Sequence, residues 1–193
     1  PGGTSGNQLT PVDVSGFGAL AGKTVVDIQP GKQHCLVLCS DTSVISWGYN
    51  QNGQVGVGNT ATPQNMPQNI SSNGSLASKT VSTIFTGTQS HVSFAISNDG
   101  SIHAWGSGGL GSIGDGGTTD RSLPVNISSF GVLGGQPISR LGGGEFSVFA
   151  LRDAGTVSAW GYNALYQLGD GTNTTTQTTP VDVTTNIMAV LDP

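Results

Sequence analysis

Val44-Ile45-Ser46-Trp47-Gly48 returns as Ile102-His103-Ala104-Trp105-Gly106 and again as Val157-Ser158-Ala159-Trp160-Gly161, with the tryptophans 58 and 55 residues apart. A second mark keeps the same step. A proline stands three residues before an aliphatic in Pro11/Val14, Pro67/Ile70, Pro124/Ile127 and Pro180/Val183, at spacings of 56, 57 and 56. A third lies between them: SGFGALAGKTVVDI runs from Ser15 to Ile28, SSNGSLASKTVSTI from Ser71 to Ile84, and SSFGVLGGQPISRL from Ser128 to Leu141. Three independent features on one period define a tandem repeat.

Each unit reads as about four short antiparallel strands. Val25–Ile28 comes first. His34–Leu38 and Val44–Trp47 flank the turn at Asp41-Thr42-Ser43. The pair recurs as Ser93–Ile96 and Ile102–Trp105 around Asp99-Gly100, a hairpin turn sequence. It recurs once more as Val148–Leu151 and Val157–Trp160 around Asp153-Ala154-Gly155. A Gly-rich loop follows each Trp-Gly, and then a strand that begins at the proline. With 31 Gly and only 9% charged residues, the chain is a poor helix former. The predicted fold is all-β, with about three four-stranded propeller blades, since stacking blades around an axis protects strand edges. One repeat region covers 1–193, with units at 15–70, 71–127 and 128–183 and partial units at 1–14 and 184–193. Three blades leave two exposed faces, so the expectation is a partial propeller or one completed by another chain.

Net charge is −5, and the six basic residues (Lys23, Lys32, Lys79, Arg121, Arg140, Arg152) are scattered singly. Phosphate-driven binding needs a basic stripe, so no nucleic acid partner is expected. No apolar run reaches the roughly 20 residues of a membrane-spanning helix, and no membrane insertion is expected. The chain opens at Pro1 without Met or a signal peptide, the expectation for a processed, excised or incomplete chain. Cys35 and Cys39 fall in one strand, about 13 Å apart at 3.3 Å per residue, too far to bridge each other.

The repeated residues resemble the regulator of chromosome condensation (RCC1) repeat family of β-propellers. One unit carries Gly31, His34, Leu36, Leu38, Trp47-Gly48, Asn50, Gly53-Gln54-Val55-Gly56 and Pro67. Another carries Asp153, Gly155, Trp160-Gly161, Asn163, Gln167-Leu168-Gly169-Asp170-Gly171 and Pro180-Val181. The middle unit has His91, Asp99-Gly100, Trp105-Gly106, Gly114-Asp115-Gly116 and Pro124-Val125, with Val92 as an extra residue read as a bulge. Phe146-Ser147 replaces the family's His in the third unit. The resemblance implies partner binding through loops, here Asn50–Pro67, Ser107–Pro124 and Tyr162–Pro180.

Sites of chemistry are scarce. Gly22-Lys23-Thr24 suggests a phosphate loop, but Phe17 stands where the motif needs Gly, and a strand follows instead of a helix. Gly106-Ser107-Gly108-Gly109-Leu110-Gly111 precedes a turn, not a helix, so a dinucleotide site is not read there. Trp47, Trp105 and Trp160, with Gly48, Gly106 and Gly161, are read as structural repeat positions. His34, His91 and His103 are read as hydrogen-bonded structural residues, with no zinc spacing. Asp115-Gly116 and Asp170-Gly171 lack the acidic ladder of a calcium loop. No catalytic residue, cofactor or metal is expected.

Asn69, Asn73, Asn126 and Asn173 each begin an N-glycosylation sequon. With the low charge, they suggest an extracellular or cell-surface protein bearing N-linked glycans. The function read from the chain is a non-enzymatic module for protein–protein interaction or structural self-assembly, its partner another protein or other copies of itself. By family analogy, the alternatives are a guanine-nucleotide exchange regulator of a small GTPase or a secreted enzyme inhibitor.

Overall fold

The computed structural model describes residues 9–87, 89–134 and 137–184. Blade 1 holds β1 (Val25–Pro30), β2 (His34–Cys39), β3 (Val44–Gly48) and β4 (Gln64–Asn69). Blade 2 holds β5 (Val81–Thr86), β6 (Val92–Ser97), β7 (Ile102–Gly106) and β8 (Arg121–Asn126). Blade 3 holds β9 (Ile138–Gly143), β10 (Ser147–Arg152), β11 (Val157–Tyr162) and β12 (Thr176–Asp182). Each blade is a separate antiparallel sheet with its strands in chain order. Up to Asp182 the helical elements are three-residue 3-10 turns alone. The partial unit expected at 184–193 lies outside the described residues apart from Thr184. Of that expected at 1–14, residues 9–14 are described and form no strand.

The strand patterns follow from where each strand sits. All six residues of β6, Val-Ser-Phe-Ala-Ile-Ser, are buried, because blades lie against both of its faces. Its sequence alternates large apolar residues, Val92, Phe94 and Ile96, packed toward blade 3, with the small Ser93 and Ala95 turned toward blade 1. The third strand of each blade brings its tryptophan to one register position: Trp47 faces Cys35, Trp105 faces Ser93, and Trp160 faces Val148.

Two expectations need correction. Pro67, Pro124 and Pro180 do not open their strands but lie inside β4, β8 and β12. Each of these is the edge strand of its sheet, where a missing N–H costs no ladder bond. Nor is Val92 a bulge. It pairs with Gly106 as His34 pairs with Gly48, and that ladder is regular. His91 therefore lies one residue before the position of His34, in the β5–β6 turn. The middle blade's register shifts occur elsewhere, between Val81 and Thr83 and between Ala104 and Gly106.

Candidate functional site

The seams between blades are built alike. Trp105 and Trp160 are 0% exposed, and each indole N–H donates to a loop carbonyl of the preceding blade: Trp105 to Gln54 at 3.0 Å, Trp160 to Ser112 at 3.1 Å. Each indole also lies against a glycine of that loop. A Cβ on Gly56 would come within 2.8 Å of Trp105 Nε1, and one on Gly114 equally close to Trp160 Nε1. Trp47 is only half-buried and makes no such bond among the described residues. The glycine after each tryptophan is set by backbone geometry. Gly48, Gly106 and Gly161 have φ of +112°, +106° and +101°, and a Cβ would stand 2.6, 2.2 and 2.1 Å from the carbonyls of Gln33, His91 and Phe146.

Strands alternate in direction, so the β1–β2 turn and the long β3–β4 loop of every blade lie at one end of the molecule. These loops lean onto the next blade. Gly58 N–H donates to Ser122 at 2.8 Å and Gly116 N–H to Thr178 at 3.0 Å. Buried Asn50 holds its loop from inside: its Oδ1 accepts from Val55 N–H, while its Nδ2 donates to the carbonyls of Asn59 and Ala61. Asn163 does the same with Leu168 N–H and Thr172. The exposed rims at 58–62 and 116–120 are thus fixed in place. Lys32 in the first turn reaches Glu145 in the third at 2.9 Å, tying blade 1 to blade 3.

The three histidines each have a structural explanation. At the first seam, Ser93 Oγ donates to Gln54 O at 3.0 Å, so it accepts from His34 Nε2 at 2.9 Å, and Nε2 carries the proton. Gln54 Nε2 donates to His91 Nδ1 at 2.9 Å, and His91 lies beside the Tyr49 ring. In blade 2, His103 Nδ1 meets Ser75 Oγ at 2.7 Å, and its Nε2 meets Ser97 Oγ at 3.0 Å and Ser101 Oγ at 3.1 Å.

Ser101 in turn donates to Asp99 at 2.5 Å, so the line from serine through histidine to aspartate looks like a hydrolase relay. The other blades show what the place is for. Where blade 2 has Ser75, Ser97 and His103, blade 1 has Ala19, Cys39 and Ile45, and blade 3 has Val132, Arg152 and Ser158. In blade 1, Ala19, Cys39 and Ile45 pack within one apolar cluster. In blade 3, Arg152 donates to Val132 O at 3.0 Å and pairs with Asp182. One packing position is filled three ways: by apolar contact in blade 1, by hydroxyl–imidazole bonds in blade 2, and in blade 3 by an arginine tied to Val132 O and Asp182 while Ser158 Oγ stays unpaired.

Burial holds His34 and His103 at pKa values of about 4 each, helped by the charge of His91 on the first and of Lys79 on the second. Below pH 6.5 the unfolded chain therefore takes up protons that the folded chain refuses. Stability is expected to fall as pH drops from 6.5 to about 4 and then to stop falling on this account. Urea midpoints measured across that range check it, and His103→Ile combined with the blade 1 partners should flatten the slope by about half.

Lys23, the residue that suggested a phosphate loop, pairs with Asp41 at the hairpin of its own blade, as Lys79 pairs with Asp99 at 2.6 Å. The lysine and the Ser43 or Ser101 hydroxyl hold both carboxyls below the usual carboxylate range. Of the Gly106–Gly111 stretch, Gly106 ends β7 and the rest lies in the β7–β8 loop, with Gly111 pressed against the backbone of blade 3. A pocket of about 340 Å³ opens between blades 2 and 3, lined by Asp99, Ser101, Ser128 and Leu133 among others. Its Asp99 and Ser128 are already engaged, by Lys79 and by Ile102 N–H. Among the described residues no group of three or more His, Cys, Asp or Glu could hold a metal ion. Both cysteines are free, and burial pushes the Cys35 thiol up to about 11.

The sequon asparagines turn out to be unequal. Asn69 Oδ1 accepts from Ser71 N–H and Asn126 Oδ1 from Ser128 N–H, while those serines accept from Val44 and Ile102 N–H. Asp182 and Thr184 make the same turn in blade 3, and Asp13 and Ser15 close its first half before blade 1. Asn-x-Ser here is therefore a turn that caps the hairpin, with Asp serving equally well. Asn73 donates its Nδ2, the atom a glycan would occupy, to Gly56 O at 3.0 Å. Asn173 lies exposed in the β11–β12 loop.

Three stacked four-stranded blades joined by a repeated indole seam define a segment of a β-propeller. The regulator of chromosome condensation (RCC1) repeat model matches residues 41–93. The ultraviolet-B receptor UVR8 of Arabidopsis thaliana is 32% identical over 88% of the chain, and the E3 ubiquitin-protein ligase HERC2 of Homo sapiens 30% identical over 80%. The chain spans 36% of the length of the first relative and 3% of the second. Among solved structures, human WBSCR16 matches 83% of the chain with a TM-score of 0.65 at 26% identity, covering 38% of that protein. Saccharomyces cerevisiae Prp20p, described as binding Gsp1p and histones, matches 82% with a TM-score of 0.69 at 21% identity, covering 38% of that protein. The chain is an RCC1-like array of β-propeller blades.

Proposed function

We propose that the chain is a non-enzymatic protein–protein interaction module that binds its partner at the loop end. The observation that carries this reading is the fixing of the loop rims. Buried Asn50 and Asn163, and the lean of the first two loops on the following blade, present polar backbone in a set position at little ordering cost on binding. Against catalysis stands the three-way filling of the His103 position, which treats the relay-like residues as interchangeable packing. The names of the relatives, a receptor and a ubiquitin ligase, fit a module that serves other proteins, as does the description of Prp20p.

We place the module at the cell surface or outside the cell, on its low charge and on the exposed sequon at Asn173. The test is capture by the immobilised chain, followed by loop-rim variants. Asn59→Lys with Thr118→Lys should abolish binding of a captured partner without moving the melting temperature. Binding that survives both changes, or acceleration of nucleotide release from a small GTPase, would overturn the reading.

A further inference from the structure

The two seams between blades share their indole but differ beside it. His34 and Val92 each face the glycine after a tryptophan, and Ser93 and Val148 each face the tryptophan itself. His91 and Phe146 each accept, at the backbone carbonyl, from the residue after that glycine. The first seam thus carries His34, Ser93 and His91 where the second carries Val92, Val148 and Phe146. Imidazoles stand in one, and apolar side chains in the other.

Hydrogen-bond direction fixes the state of His91. Asn52 N–H can only donate, and it donates to Gln54 Oε1 at 2.9 Å. That turns Gln54 Nε2 toward His91 Nδ1, also at 2.9 Å. Nδ1 must accept, so His91 is neutral and its proton sits on Nε2. Gln54 is 0% exposed, which shields the contact from solvent. The line continues beyond Asn52, whose Nδ2 donates to Asp120 Oδ2 at 2.8 Å, while Asp120 Oδ1 accepts from Gly108 N–H at 2.9 Å. One imidazole of the β5–β6 turn is therefore joined, through buried Gln54, to the link between the first two long loops.

We propose that His91 is a pH switch for the loop end: on taking up a proton it gives up its bond to Gln54 and releases the first loop from the second. This rests on the loop rims being the binding surface, and gives that surface its regulation. A protonated Nδ1 sets N–H against N–H at Gln54. Turning the Gln54 amide over satisfies His91 but sets Nε2 against Asn52 N–H, so one pair of opposed donors remains either way. The titratable and charged groups around the ring are Lys32 in the β1–β2 turn, Glu145 in the β9–β10 turn, His34 in β2 and Tyr49 after β3, whose ring centroid is 5.7 Å away. Lys32 and Glu145 pair with each other. Burial and the Lys32 charge hold His91 below the ordinary histidine value of 6.5, and Glu145 opposes them. The link is complete above pH 6.5 and is lost as pH falls through the lowered value.

Nuclear magnetic resonance of the isotope-labelled chain between roughly pH 7.5 and 5 tests this, above the range near 4 in which His34 titrates. The His91 ring and the exchange protection of the Asn52 amide should titrate together, with protection falling on the order of tenfold while the Trp160 indole keeps its own. His91→Asn, whose Oδ1 accepts in place of Nδ1 and takes up no proton, should hold the Asn52 amide protected throughout. Gln54→Glu should reverse the sign, because a carboxylate accepts from Asn52 N–H and from protonated His91 together, and the ring then titrates above 6.5. An Asn52 amide indifferent to the titration of His91, or an equal loss in His91→Asn, overturns the proposal. So does a His91 whose titration Gln54→Glu fails to raise. A chain whose Asn52 amide responds as expected, but whose rims capture nothing at either end of the pH range, would remove the interaction module and leave the switch standing.

Discussion

Trp160→Ala is expected to lower stability by about 3–5 kcal/mol, and Trp105→Ala by as much. Each indole is wholly buried in a seam, fills the space over a glycine, and donates to a carbonyl of the preceding blade. Truncation leaves a cavity between two sheets and deprives Ser112 O of its donor, or removes one of the two donors to Gln54 O. Trp47→Ala should cost only about 1–2 kcal/mol, because that side chain keeps part of its surface in water and no blade covers it among the described residues. Urea unfolding of the three single variants at low protein concentration gives the comparison. Equal losses at all three positions would mean that Trp47 is as firmly seated as the others, which contradicts the seam geometry.

His103→Ile is expected to destabilise the chain by about 2–4 kcal/mol, since it strands the half-buried hydroxyl of Ser75 and the buried one of Ser97. Adding Ser75→Ala and Ser97→Cys rebuilds in blade 2 the trio that blade 1 already uses, Ala19, Cys39 and Ile45. The triple variant should recover to within about 1 kcal/mol of the wild type, a strongly non-additive result for residues in contact. Calorimetry or chemical denaturation of the single, double and triple variants would show it. A triple variant that loses the sum of its parts would mean that the three blades do not treat this position alike. A job for the serine–histidine pair beyond packing would then have to be sought.

The residues that were legible in the sequence are those every blade needs in the same form. Trp-Gly recurs because the indole must reach back to the preceding loop and because the following residue has a backbone that only glycine tolerates. The Ser75–Ser97–His103 set was not legible, because its members come from three separate stretches and change together from blade to blade. Alignment by repeat does bring 19, 75 and 132 into one column, but only contacts show that this column meets those of 39 and 45. The sequons share their spacing with a turn. Asp13-Val14-Ser15 and Asp182-Val183-Thr184 hold the same spacing with aspartate, which no glycan accepts, and so mark a turn. An interior proline breaks a ladder, so sequence alone favours strand starts for these prolines; at the outer edge of a sheet there is no ladder partner to lose. In the sequence His91 aligns with His34 although it stands one residue earlier, an offset that only the pairing of Val92 with Gly106 exposes.

Hydrogen exchange of the three indole N–H protons, followed by nuclear magnetic resonance on the dilute chain, measures the seams one by one. The geometry predicts two strongly protected protons, those of Trp105 and Trp160, and one that exchanges quickly, that of Trp47. Three protons exchanging at one common rate would contradict a molecule joined by indoles donating across its blades.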